Sequence, residues 1–353
     1  MATPADRITA VVTAGGINEW LHAQGWTDGL PVVPPTEERV AAMLEAVAED
    51  PSVSLGEVPP SRAQATYEAV AANTVLAGCE PEAFPVVAAA VLAMLDPRFN
   101  LFGIQATTHP VAPLLIVNGP IAEHARLNCG AGVLGPGARA NATIGRAVRL
   151  ILMNVGGGRP GEGDRSTHGG PAKFSYCIAE NVEESPWPEL HTTLGLRADE
   201  SAVTVFAGEA PHNVNDHESR SPERLLGIVA DVMRSLGHNN WYLAQDGLND
   251  IVVVFGPEHA QLLGDAGWSR GDVQRFLFEQ ARRSVAELSR GGMWEMRDWP
   301  DWMNALADSP GEKIPVVRRA DDILVAVAGG PGKHSLVIPG FGASRAATRS
   351  THL

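Results

Sequence analysis

The sequence predicts an α/β protein with a layered, mixed sheet and flanking helices. Three observations lead there: short apolar runs of β-type composition, stretches with apolar residues at helical spacing, and the alternation of the two along most of the chain. At 353 residues, with 44% hydrophobic and 19% charged residues, the chain exceeds the usual size of one hydrophobic core. Composition divides it into a helical lead-in at 1–97, a Gly-rich α/β domain at 98–200 and a second α/β domain at 201–353.

The elements follow in order. Residues 25–35 (GWTDGLPVVPP) are rich in turn formers, and 37–48 read as an amphipathic helix with Val40, Met43, Leu44 and Val47 on one side. A strand is expected at 53–58 and helices at 63–76 and 84–95. Three later apolar runs end in Gly-Pro: PLLIVNGP at 113–120, IVVVFGP at 251–257 and ILVAVAGGP at 323–331. The first two are followed by Glu-His-Ala, at 123–125 and 258–260. This is either a degenerate internal repeat, in which a buried strand turns sharply into a helix, or a chance match of three residues. Strands at 174–179 and 202–206 alternate with helices at 138–153, 222–236 and 270–288. The aromatic segment WEMRDWPDW at 294–302 is expected to cap a core or form a subunit contact, and the Arg/Ser-rich tail from Gly340 to fray.

Charge and cysteine usage narrow the function classes. A net charge of −14 opposes phosphate backbones and anionic lipid, so nucleic acid and membrane are not expected partners. No stretch approaches the ~18 apolar residues of a membrane span. Residues 1–13 lack the basic end and apolar run of a secretory signal. Cys79, Cys129 and Cys177 are an odd number in a long chain and suit a reducing compartment better than a disulfide framework. A cytoplasmic protein acting on a small-molecule substrate, assembled as a homo-oligomer, is the expectation.

Polar residues concentrate in glycine-rich loops. A literal G-x-G-x-x-G at Gly130, Gly132 and Gly135 lacks the context of a dinucleotide site: the preceding strand ends near Val117, Pro136 and Gly137 delay the helix, and no acidic residue closes a following strand. The same glycines let a backbone approach a ligand, and the helix opening near Ala138 offers free N–H groups to an anion, with Arg139 and Arg146 adding charge; the alternative is a structural turn. Asn128, Gly130, Gly132, Arg139 and Asn141 are the candidate substrate or anion contacts there. Cys129, beside the glycines and near a helix start, is where a nucleophilic thiolate would be stabilised, whereas Cys177 sits in an apolar alternation and reads as core. GGPGKHS at 329–335 resembles a phosphate loop but has Val327 in place of its first glycine; His334 and Ser335 remain as candidate ligand contacts.

Asp164, His168 and Lys173 occupy a loop too polar for packing to require, and Glu180 and Asn181 follow the strand it enters. Acid–base groups are commonly held on such loops, so Asp164, His168, Lys173 and Glu180 join Cys129 as catalytic candidates, with Asn181 as a binding residue; a solvated surface loop is the alternative. In PHNVNDHE, at 211–218, the loop bearing His212, Asp216 and His217 offers two imidazoles and a carboxylate for a divalent metal or a metal-free acid–base site. The spacing also allows a capped loop before the helix at Pro222.

DGLPVVPPTEERV at 28–40, GPGARANATIGRAVRL at 135–150 and GPEHAQLLGDAGWSRGDVQRFLFEQAR at 256–282 resemble a family of bacterial proteins associated with small UGSC-type (seleno)proteins. The resemblance covers most of the chain, although the UGSC tetrapeptide itself is absent. It implies thiol, selenium or organometal chemistry by a partner or fused domain and transfers no catalytic residue to a position here. Two functional classes follow. One is an enzyme of lyase or hydrolase type, acting on a small polar or anionic substrate through a thiol or a metal/His-Asp site. The other is a non-catalytic small-molecule-binding subunit of a thiol/selenium redox or organometal-handling system.

Overall fold

The computed structural model describes residues 16–241, 249–291, 299–309 and 311–351. It is α/β, with mixed parallel and antiparallel sheets flanked by helices. Two compact units divide the chain, and both are discontinuous: Met1–Ala179 with His191–Phe206 and Ala346–Leu353, and Glu180–Leu190 with Ala207–Arg345.

In the first unit, the apolar run PLLIVN becomes the strand Ala112–Asn118, buried at every position. It pairs in parallel with Cys177–Ala179, Ile116 lying opposite Ile178. The sheet continues through Ser201–Gly208 to Ala347–Thr351, and these last two are antiparallel. The tail expected to fray is therefore an edge strand. Thr348 and Thr204 share a hydrogen bond of 2.9 Å, and Arg349 pairs with Asp96 at 2.8 Å, so main-chain and side-chain bonds both hold it. Helices Tyr67–Ala77, Phe84–Met94 and Arg139–Asn154 pack with one another, and the last two also pack with this sheet. The helix expected from residue 63 starts later because Ala63–Thr66 pairs with Ser54–Val58 as a hairpin, after which the Thr66 hydroxyl caps the helix through Ala69 N–H.

In the second unit, Ile251–Phe255 lies between Ile323–Val327, parallel to it, and His334–Ile338, antiparallel to it; His212–Asn215 completes the sheet at an edge. The PHNVN segment is thus strand where a loop was expected, its backbone satisfied by His334–Ile338. Leu225, Leu226, Val229 and Met233 from the helix Pro222–Met233, with Val273 and Leu277 from Arg270–Gln280, belong to one core with Val253 and Phe255. The helix expected through 288 stops at Gln280, because Ala281 N–H closes on Leu277 and its carbonyl turns to accept Val316 N–H. A new helix, Val285–Leu288, then starts from a reciprocal Ser284–Glu287 capping box. Trp299 and Trp302 pack against this core; residues 294–298 of the aromatic segment lie outside the described residues, as does 1–13, read above for a signal.

Two of the three Gly-Pro runs turn into helices, Pro120–His124 and Pro257–Asp265, while the third returns as the strand His334–Ile338. Close backbone approach explains the glycines of the first two. A Cβ at Gly119 would lie 2.3 Å from the Glu200 carbonyl oxygen, and one at Gly256 would lie 2.3 Å from that of His334. Among the described residues, no single helix is long and apolar enough to cross a membrane.

Candidate functional site

The first unit contains a pocket whose chemistry begins in the helix Arg139–Asn154. Its buried face carries Ile144, Val148, Ile151 and Leu152, and also Arg149, which is only 7% exposed. A guanidinium removed from water needs an anion and hydrogen-bond acceptors. Arg149 donates from Nε to the Lys173 carbonyl at 2.9 Å and from Nη1 to Asp164 Oδ2 at 3.4 Å. Burial pushes its pKa down, against the pull of Asp164. Arg146, nearly one turn earlier, grips Asp28 with two hydrogen bonds of 2.8 and 2.7 Å.

Asp164 is itself buried and preset by its own loop. Its N–H donates to the Arg159 carbonyl, and its Oδ1 accepts Ser166 N–H at 3.0 Å, which leaves Oδ2 to accept Lys173 Nζ at 2.6 Å. Lys173 ends the short turn Pro171–Lys173, and its side chain is only 12% exposed. Burial, and then the charge of Arg149, push its pKa below the usual lysine value; Asp164 opposes both.

These groups border a pocket of about 320 Å³, lined among others by Asp28, Arg149, Asp164, His168, Lys173 and Phe174. Ser166 and Thr167 add hydroxyls to its wall, and His168 and Phe174 are solvent-exposed side chains. Three of the residues expected from sequence, Asp164, His168 and Lys173, therefore share one pocket. Asp28 and Arg149 were missed. The available signal was an arginine inside the apolar run AVRLILM, a charge that burial forces to find a carboxylate.

Cys129 is half-buried in the same unit and is not among the residues that line this pocket. Its neighbours form a latch: Asn141 accepts Asn128 N–H and donates to the Asn128 carbonyl, both at 2.8 Å, while Asn128 Oδ1 accepts Gly130 N–H at 2.9 Å. Gly132 has a left-handed backbone, φ +71°. Arg139 donates to the Gly78 carbonyl and to Glu80. Cys79 and Cys177 are buried, which pushes Cys79 up to about 12 and Cys177 higher still.

The remaining candidates belong to the second unit. Glu180 has a fully buried side chain that accepts Leu190 N–H at 2.7 Å and pairs with Arg270 at 3.2 Å. Asn181 ties its own backbone to Val327 and donates its amide to the Gly329 carbonyl. His334 meets Asn213 at 3.1 Å and the His217 ring edge-on at 5.4 Å. Ser335 and His259 form a buried hydrogen bond of 2.8 Å, and the other His259 nitrogen contacts the Asp216 carbonyl at 3.0 Å. Burial pushes His259 toward its neutral form. The Asp216 carboxylate accepts Glu218 and Ser219 N–H, whereas His212 is an exposed residue of the edge strand. The expected metal set of His212, Asp216 and His217 does not close: among the described residues, no three His, Cys, Asp or Glu side chains converge to hold a metal ion. His212 and His217 are both exposed, and the Asp216 Oδ1 is already taken up by two N–H groups of its own turn.

Fold and pocket together define an α/β protein with a half-closed, charged cleft in one of its units. No family model matches the chain, and no curated protein matches it.

Proposed function

We propose that the pocket of the first unit is the active site of an enzyme acting on a small anionic substrate by acid–base chemistry of lyase type. The observation that supports this is the charge balance of the site. Arg149 and Lys173 line the pocket and share the single carboxylate of Asp164, while Asp28, also at the wall, is already held by Arg146 from outside the lining; this leaves one cation in excess there, in a chain of net charge −14. A local positive excess in a half-closed pocket, carried by groups largely removed from water, attracts an anion and holds it more strongly than bulk water permits. The Lys173–Asp164 pair supplies both partners of a proton transfer at 2.6 Å, His168 stands at the wall as a third titratable group, and Phe174 offers an apolar face to the substrate's carbon skeleton. This reading draws on neither the Cys129 thiol nor a metal.

A panel of small carboxylates and phosphates, screened by melting temperature, tests it. A ligand present at 100 times its Kd stabilises its target by about 2.7 kcal/mol. At least one anion is expected to raise the melting temperature, and His168→Glu, which sets a negative charge on the pocket wall, is expected to weaken that ligand about tenfold or more. If no anion shifts melting, or if the shift is the same in His168→Glu, the pocket is not an anion site. A ligand that binds there without being converted would place the protein in the binding-subunit class.

A further inference from the structure

We propose that Lys173 captures a carbonyl group of the anionic substrate as an imine, so that the substrate class is a small oxo acid. The inference rests on the anion-binding reading above and adds a covalent step to it.

Residue choice is the first argument. Of the 27 basic residues that are lysine or arginine, three are lysines: Lys173, Lys313 and Lys333. Where an ion pair only has to hold the structure, this chain uses arginine, as at Asp96, Glu180 and Asp322. A guanidinium stays protonated and makes two-pronged contacts, whereas an ammonium can lose its proton and become a nucleophile. A lysine in this pocket, beside the buried Arg149, is a departure from that usage that structural pairing alone does not call for.

Geometry is the second. Nζ is buried at the wall of a cavity of about 320 Å³, with Asp164 Oδ2 at 2.6 Å as a ready proton acceptor. Burial and the Arg149 charge both favour the neutral amine. Arg149 and the hydroxyls of Ser166 and Thr167 line the same cavity and are available to a carboxylate.

The step balances without any further reactant. The Lys173 ammonium passes a proton to Asp164, and the amine lone pair forms a C–N bond to the carbonyl carbon. The C=O π pair moves to oxygen, which takes up the second proton of the nitrogen. The resulting carbinolamine loses its hydroxyl as water when Asp164 returns its proton to that oxygen, leaving a protonated C=N bond. One water is released and no electrons are gained or lost. The iminium then draws electrons from the neighbouring carbon, which makes a C–H or C–C bond there easier to break and gives the lyase chemistry its electron sink.

Reductive trapping tests this on the full chain. The protein is incubated with glyoxylate, the smallest oxo acid, and cyanoborohydride as the hydride source, then analysed by intact mass and peptide mapping. Glycolate, the same anion without the carbonyl, is tested in parallel for binding by ligand-observed NMR. The expected result is one carboxymethyl group on Lys173, formed at least about tenfold faster than on exposed Lys313. It should be lost in Lys173→Arg, a variant that keeps the charge and whose fold is checked by its melting temperature. If glycolate binds and Lys173 reacts no faster than Lys313, the imine is overturned while the anion site stands. If glycolate does not bind and Lys173 is not modified, both readings fall.

Discussion

Asp164→Asn changes almost no volume and removes the one carboxylate that Arg149 and Lys173 share, at 3.4 and 2.6 Å. Breaking a buried pair by removing one partner costs about 3–5 kcal/mol, because the charge left behind keeps its desolvation penalty. Here the stranded group has an escape, since Lys173 can release its proton. Measured from the ordinary lysine value of 10.5, neutralising Lys173 at pH 7.5 costs about 4 kcal/mol, so the two routes converge on a loss of about 3–4 kcal/mol. They also impose a pH signature. With the folded pKa of Lys173 below its unfolded value, the unfolded chain binds more protons in the window between them, and stability rises with pH there. The deficit of Asp164→Asn should therefore shrink, by up to about 1.4 kcal/mol for each pH unit, as pH rises above 7.5, and stop shrinking where Lys173 of the wild type itself loses its proton, which lies below 10.5. Hydrogen exchange of peptides from the helix Arg139–Asn154, read by mass spectrometry, reports this unit without requiring the whole chain to unfold in one step. Lys173→Met added to Asp164→Asn should recover at least about 1.5 kcal/mol by removing the stranded cation. A deficit below about 1 kcal/mol, or one that does not change with pH, would refute the assignment of Asp164 as the buried counter-ion.

Glu180→Gln is expected to lower stability by about 3 kcal/mol, since its fully buried side chain holds Arg270 and the Leu190 N–H, and to leave anion binding in the first unit unchanged; melting temperature and ligand titration check the two halves. His212→Ala and His217→Ala should each alter stability by less than about 0.5 kcal/mol, both side chains being exposed, whereas Asp216→Ala removes the Oδ1 that accepts two N–H groups and should cost about 1–2 kcal/mol in chemical denaturation. Burial pushes Asp216 up, but the hydrogen bonds from Ser219 and Glu218 outweigh it and hold its pKa below 3.8. Its contribution is accordingly complete above that value and is lost as pH falls through the lower folded one. A disulfide reagent should label one thiol rapidly in the native chain, Cys129, and three in denaturant, because Cys79 and Cys177 are buried; rapid native labelling of Cys177 would contradict the packing of its strand.

The α/β class, the buried runs that became Ala112–Asn118, Ile251–Phe255 and Ile323–Val327, and the grouping of Asp164, His168 and Lys173 in one polar loop were all legible in the sequence. Each is a local property. Apolar periodicity, β-branched composition and glycine content act through backbone preferences over a few residues, and those preferences survive into the fold. Tertiary structure alone decided which strands pair. The tail at Ala347–Thr351 was polar enough to read as frayed, yet Ser201–Gly208 offered it a partner, and main-chain pairing is indifferent to side-chain identity. The helix expected to run through 288 broke at Gln280, where a bond to Val316 outcompeted continued helix. Asp28 and Arg149 could not be assigned to the site in advance for a related reason. A buried charge must find its opposite, but nothing local says where. Asp28 meets Arg146 across 118 residues of chain, and only the packing of the first unit brings its carboxylate to the wall of the pocket that Arg149 and Lys173 share.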